Sequence, residues 1–362
     1  MSKIQTLRNK FKRYNIDGYI VPKNDDFFNE YSKINRLKFI SNFSGSAGLA
    51  IILKKKNYLF IDGRYTIQSQ IECGKKFKII NYEKLINCKL FKDLTLGIDP
   101  KLFTHWQIKK FFLKHNKIKL ISKNLIDQIK SPKNDTSSMF YSLKKDIVGE
   151  SSFSKISKIS NYLKKNKCDF LFVSAPENVA WILNIRGNDI PNSPIPNSRL
   201  IISQNKKKLL ITQVQKCKAL IKNKIINSNE ICDVKEFSKK ILTLRGNYFI
   251  IDAKSCSIFY ENIIKSKFKV LKKEDPTYIL KAIKNNIEIN NMAEIHNLDG
   301  AALTKLIYWI KTKNKKKITE VQAQNKLEKF RKKNKEYLCP SFETIAGSGK
   351  NAVIVHYWAN KK

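Results

Sequence analysis

The sequence predicts an α/β fold: two tandem copies of one mixed-sheet α/β domain, followed by an α+β segment that opens on long helices. Three observations carry this reading. Short apolar, β-branched runs alternate with segments of helical period up to about residue 280. Those runs recur in register. Asp17-Gly18-Tyr19-Ile20-Val21 matches Asp169-Phe170-Leu171-Phe172-Val173 at an offset of 152, and Leu7 and Phe11 match Ile159 and Leu163 at the same offset. Ile51-Ile52 and Leu59-Phe60-Ile61 match Ile201-Ile202 and Leu209-Leu210-Ile211 at an offset of 150. Beyond Leu280 the strand-like runs give way to amphipathic helical patterns. With a seam near 146–151, the expected divisions are 1–145, 146–283 and 284–362.

Each element has its own justification. Leu7, Phe11 and Tyr14 share one helical face, which Asp17-Gly18 ends. Gly18 to Pro22 is a buried strand, and Asn24-Asp25-Asp26 is the loop after it. A Ser/Gly turn at 44–48 leads into a strand over Leu49–Leu53, a lysine hairpin at 54–57, and a return strand over Tyr58–Ile61. Further strands are expected at 77–80, 96–99 and 118–122, with a helix from Trp106 to about His115. In the second copy the lysine hairpin recurs as Asn205-Lys206-Lys207-Lys208. Residues 281–312 read as one amphipathic helix carrying Met292, His296, Asp299, Leu303, Leu306 and Ile310 on one face. Asn314-Lys315-Lys316-Lys317 reads as a solvated turn. Thr319 and Gln322 form a capping box for a helix that buries Ala323, Leu327 and Phe330. A strand is expected over Ala352–Val355.

Composition narrows the functional classes. Met1 to Asp17 is polar and basic, unlike a secretory signal, and no run reaches the roughly 18 apolar residues of a membrane span. No membrane partner is expected. The seven cysteines are scattered without a C-x-x-C pair, which argues against structural zinc or a disulfide framework and for a cytoplasmic location. The net charge of +41 suggests nucleic acid, yet only eight of the 71 basic residues are arginine, the residue suited to bidentate recognition. Lysines are spread over every segment. No specific nucleic-acid partner is expected.

The residues that bear chemistry are few. Gly347-Ser348-Gly349-Lys350 imitates part of a phosphate loop, but Thr344 replaces its first glycine, Asn351 its Ser/Thr, and no helix follows. Nucleotide binding is therefore rejected. His356 ends the expected strand and reads either as an active-site residue on a rigid element or as a side chain that only hydrogen-bonds. Between Ala175 and Pro196, Arg186 and Asp189 sit on a proline-stiffened connection and read either as parts of a capped helix end or as groups presented to a substrate or partner. His296 reads as a packed helical residue. No His/Asp/Glu cluster has metal-ligand spacing, so no metal ligands are expected in this chain.

These residues together resemble a family. Asn42-Phe43-Ser44-Gly45-Ser46-Ala47-Gly48, Phe60-Ile61-Asp62-Gly63-Arg64-Tyr65-Thr66 and Ala180-Trp181-x-x-Asn184-Ile185-Arg186-Gly187-x-Asp189 resemble the two creatinase-type N-terminal domains of aminopeptidase P, the Xaa-Pro aminopeptidase. His296-Asn297-Leu298-Asp299-Gly300-Ala301-Ala302-Leu303, Ile318-Thr319-Glu320, Ser341-Phe342-Glu343-Thr344-Ile345 and Asn351-Ala352-x-x-x-His356-Tyr357 resemble the start of its pita-bread catalytic domain. The resemblance implies a cytosolic metallopeptidase that cleaves the bond before proline in peptides with proline at the second position. It implies two divalent metals, usually manganese, held by two Asp, one His and two Glu that follow the histidine matching His356. That histidine binds substrate or moves a proton. Full-length relatives are expected as homodimers. Because the chain stops six residues after His356, the expectation is an incomplete pita-bread domain that is inactive alone and binds no metal. The alternative is a non-catalytic, pita-bread-related module that binds protein or peptide.

Overall fold

The computed structural model describes residues 1–86, 88, 90–132, 139–313 and 318–359. They form two compact units. One comprises Met1–Ser142, Ser152–Pro191 and Ile195–Lys281, and the other Leu143–Ser151, Asn192–Pro194 and Ala282–Lys362.

The first unit contains the duplication. Strands β1 (Gly18–Pro22), β2 (Gly48–Leu53), β3 (Asn57–Ile61), β4 (Lys78–Asn81), β5 (Thr95–Ile98) and β6 (Lys117–Leu120) form a six-stranded sheet in the order β4-β3-β2-β1-β5-β6. After the short β7 (Tyr141–Ser142), strands β8 (Phe170–Val173), β10 (Arg199–Ser203), β11 (Lys208–Thr212), β12 (Ile231–Asp233), β13 (Tyr248–Ile251) and β14 (Lys269–Lys272) form a second six-stranded sheet, in the order β12-β11-β10-β8-β13-β14. The short β9 (Ile185–Arg186) pairs with β7. Both sheets are mixed: each central hairpin is antiparallel and its flanking strands are parallel.

Register proves the repeat in part and corrects it in part. Ile20 stands opposite Ile51, and Phe172 opposite Ile201, so the first two strands keep the offsets of 152 and 150. In the third strand Ile51 faces Tyr58 whereas Ile201 faces Leu209, an offset of 151. The second hairpin is one residue longer, with Lys206 at φ +62°. A one-residue slip moves every side chain to the other face. Leu59 packs with Leu7 and Phe11, and its counterpart beside Ile159 and Leu163 is Leu210 rather than Leu209.

Both faces of each sheet are covered by apolar side chains, as expected of largely parallel sheets. Leu7, Phe11, Tyr19 and Val21 fill one face of the first sheet, and Ile20, Phe60, Ile98 and Phe112 the other. The second lobe contributes Ile258 to that latter cluster. The backbone N–H groups of Ile258 and Phe259 donate to the carbonyls of Phe103 (2.8 Å) and Pro100 (3.0 Å). Arg199, nearly fully buried, lies between the rings of Phe27 and Tyr260 at 4.1 Å from each centroid. Such a desolvated cation–π pair adds about 2 kcal/mol per ring.

The second unit is helical. The expected single helix from 281 is two, Thr277–Ala282 and Asn286–Thr312, because Asn285 and Glu288 form a capping box that starts a new helix. The Thr319/Gln322 capping box is present and opens the helix Glu320–Arg331. Ala302, Leu306 and Leu327 form a buried apolar cluster in this unit. Met292 and Leu303, placed by periodicity on the packed face, are about half exposed. The Asn314–Lys317 turn lies outside the described residues. Among the described residues no helix is long and apolar enough to cross a membrane.

Candidate functional site

The terminal stretch is built on the start of the Glu320–Arg331 helix. The Glu320 carboxylate accepts from the backbone N–H of Ser348 (2.6 Å) and the side-chain amide of Asn351 (3.1 and 3.2 Å). It thereby ties down the Gly347-Ser348-Gly349 turn. The Tyr357 hydroxyl bonds to Glu320 as well. That bond lowers the Glu320 pKa below the usual carboxylate range and raises that of Tyr357. Asn351 also donates to the Tyr357 oxygen at 3.0 Å.

The expected strand over Ala352–Val355 is not formed. A short 3-10 turn at Gly349–Asn351 is followed by further turns, and Val353 is 80% exposed. A strand needs a neighbour to complete its ladder, and no strand lies among the described residues of this unit. His356 is therefore delivered by a turn, with φ at +53°, a region non-glycine residues rarely occupy. Its half-buried ring meets Phe342 edge-on at 6.1 Å. Glu343, beside Phe342, accepts from the Asn192 amide at 3.1 Å. The pieces Phe342-Glu343, Asn351 and His356-Tyr357 thus gather into one local arrangement.

His296 is exposed, and its Nδ1 sits 2.8 Å from the Met292 carbonyl of its own helix. Asp299 forms a two-pronged pair with Arg331 at 2.5 and 2.9 Å, which joins the two long helices and lowers the Asp299 pKa.

Arg186 and Asp189 lie in the first unit. Arg186 Nη1 donates to the carbonyls of Ala180 (3.1 Å) and Ile185 (2.9 Å), closing the end of the helix Pro176–Leu183. Asp189 does not reach a surface. Its side chain is 4% exposed, pairs with Lys216 at 2.5 Å and accepts from the Asn197 N–H at 2.7 Å. The expected presentation of Asp189 to a substrate gives way to a buried ion pair, because both carboxylate oxygens already have partners. Gly187 is required by close approach, since a Cβ there would lie 2.8 Å from the Phe140 ring. Lys155, 1% exposed, sits over the Trp181 ring and donates to the Trp181 carbonyl and Asn184. Lys155 shares one helical face with the buried Ile159 and Leu163, a spacing legible in the sequence.

Among the described residues no three His, Cys, Asp or Glu side chains are grouped so as to hold a metal ion. The residues present do not fit as ligands of a metal centre, and no step through one is derived from them.

Comparison with known proteins follows the same order along the chain. Residues 3–121 and 136–288 each match the creatinase/prolidase N-terminal domain, and residues 290–362 match metallopeptidase family M24. Xaa-Pro aminopeptidase 1 of Dictyostelium discoideum is 30% identical over 389 aligned residues, which cover 98% of this chain and 61% of that protein. Xaa-Pro aminopeptidase ApepP of Drosophila melanogaster is 30% identical, over 96% of this chain and 60% of that protein. The chain spans about three-fifths of the length of these relatives. The X-prolyl aminopeptidase of Caenorhabditis elegans, described as a cytosolic enzyme with a di-nuclear active site, superposes with a TM-score of 0.87 at 22% identity. That match covers 98% of this chain and 63% of the other and establishes the fold. The chain thus carries two creatinase/prolidase N-terminal domains followed by metallopeptidase M24 sequence, the order in which it aligns to Xaa-Pro aminopeptidases.

Proposed function

We propose that this chain works as the N-terminal portion of a metal-dependent aminopeptidase that hydrolyses the bond between an N-terminal residue and proline. The observation that carries the reading is the domain order: both N-terminal domains precede M24 sequence, as full-chain alignment to Xaa-Pro aminopeptidases requires. In this reading the substrates are peptides with proline at the second position. Two divalent cations, manganese by family resemblance, are held in the part of such proteins that this chain does not span. The complete protein is a cytoplasmic homodimer, and the 362-residue chain alone turns over no peptide. His356 contacts substrate or moves a proton, supported by its unusual backbone and by the turn that Glu320 ties down. Arg186 and Asp189 act from a distance, by fixing the backbone around Gly187.

The test is release of alanine from Ala-Pro-Phe and Ala-Ala-Phe by the complete protein that carries this chain. Release from Ala-Pro-Phe alone, abolished by a chelator, is expected. Cleavage without a proline requirement contradicts the reading. Binding of Ala-Pro-Phe without release favours a non-catalytic peptide-binding module.

A further inference from the structure

The first lobe carries an open cleft of about 720 Å³ along the C-terminal ends of β1, β3 and β4. This edge is where ligands bind in open α/β sheets. Two sequence motifs that the proposed hydrolysis leaves unused, around Ser46-Ala47-Gly48 and Asp62-Gly63-Arg64, form part of its wall. Lys23 lines the cleft yet is only 8% exposed. Its Nζ donates to the Glu30 carbonyl at 2.6 Å and forms no ion pair among the described residues. An ammonium has three donors, so two remain for a ligand. Burial lowers the Lys23 pKa, and the nearby Glu30 and Asp25 carboxylates oppose that shift. Partly exposed Phe28, Tyr82 and Phe111 supply an aromatic wall. Phe28 holds φ at +60°, a strained conformation for a bulky residue and of the kind that clusters at ligand clamps. The lining carries Lys23, Arg64 and Lys254 alongside Glu30, Asp62 and Glu83, with Arg64 paired to Asp62 at 2.9 Å, so it is balanced in charge, which suits a zwitterion.

We propose that this cleft binds a short zwitterionic peptide, Lys23 receiving its C-terminal carboxylate and the aromatic wall of Phe28, Tyr82 and Phe111 receiving an apolar side chain. The site stands apart from hydrolysis and needs neither metal nor His356. Calorimetric titration of the 362-residue chain with Leu-Phe and with its C-terminal amide tests it, because neither peptide contains proline. Leu-Phe is expected to bind one to one and the amide about tenfold or more weakly. Lys23→Gln removes the difference between them, and Phe111→Ala, at a partly exposed position, weakens both. No heat from either peptide overturns the proposal, as does equal binding of acid and amide by the unaltered chain. Should Lys23→Gln fail to fold, the acid–amide comparison and Phe111→Ala decide alone, and undiminished binding by Phe111→Ala overturns the proposal.

Discussion

Replacing His356 with alanine in the complete protein is expected to lower Xaa-Pro turnover by about 10²–10⁴-fold, the range of a positioned acid, base or oriented substrate contact. Folding should barely respond. The ring is half-buried and packs against Phe342, and alanine inherits the same left-handed backbone, so no strain is added. Steady-state kinetics separate the two roles. Loss of a proton-transfer group lowers kcat, whereas loss of a ground-state contact raises KM. A variant with near-normal kinetics shows that His356 neither moves a proton nor contacts substrate.

Asp189→Ala is expected to destabilise the first unit by about 3–5 kcal/mol, because it strands the charge of a lysine that is 7% exposed. The Asn197 N–H loses its acceptor as well. A domain's whole stability is about 5–15 kcal/mol, so the loss takes a large share. Replacing both partners, Asp189→Leu with Lys216→Met, should recover most of it. Urea denaturation of the three chains measures this. If Asp189→Ala keeps full stability but abolishes Xaa-Pro turnover, the carboxylate touches substrate after all.

The order of strands and helices was legible because burial on both sheet faces writes continuous apolar runs into the sequence, and two copies reinforce each other. What was not legible depended on partners remote in sequence or on residues that look alike. Sequence matching places the third strand one residue out of register because both hairpins are runs of lysine, and nothing local marks the extra residue that Lys206 absorbs. Ala352–Val355 has strand composition, but propensity describes fit to a pleated surface and cannot supply a neighbouring strand. Sequence leaves open whether Asp189 is presented outward or closes a helix end, because its partner Lys216 is 27 residues away. In sequence the Glu320 carboxylate reads only as part of a helix start, because the Ser348 and Asn351 groups that it holds lie 28 and 31 residues away. The Lys23 cleft could not be read at all, since its lining comes from segments between Pro22 and Lys254.

The central claim is that this chain supplies the scaffold of an Xaa-Pro aminopeptidase while the metal is held elsewhere. Manganese titration of the 362-residue chain by calorimetry, followed by an assay for alanine release from Ala-Pro-Phe, tests that claim most directly. The account predicts weak binding without fixed stoichiometry and no release. Two tight manganese sites per chain, or proline-dependent release by the chain alone, would contradict it.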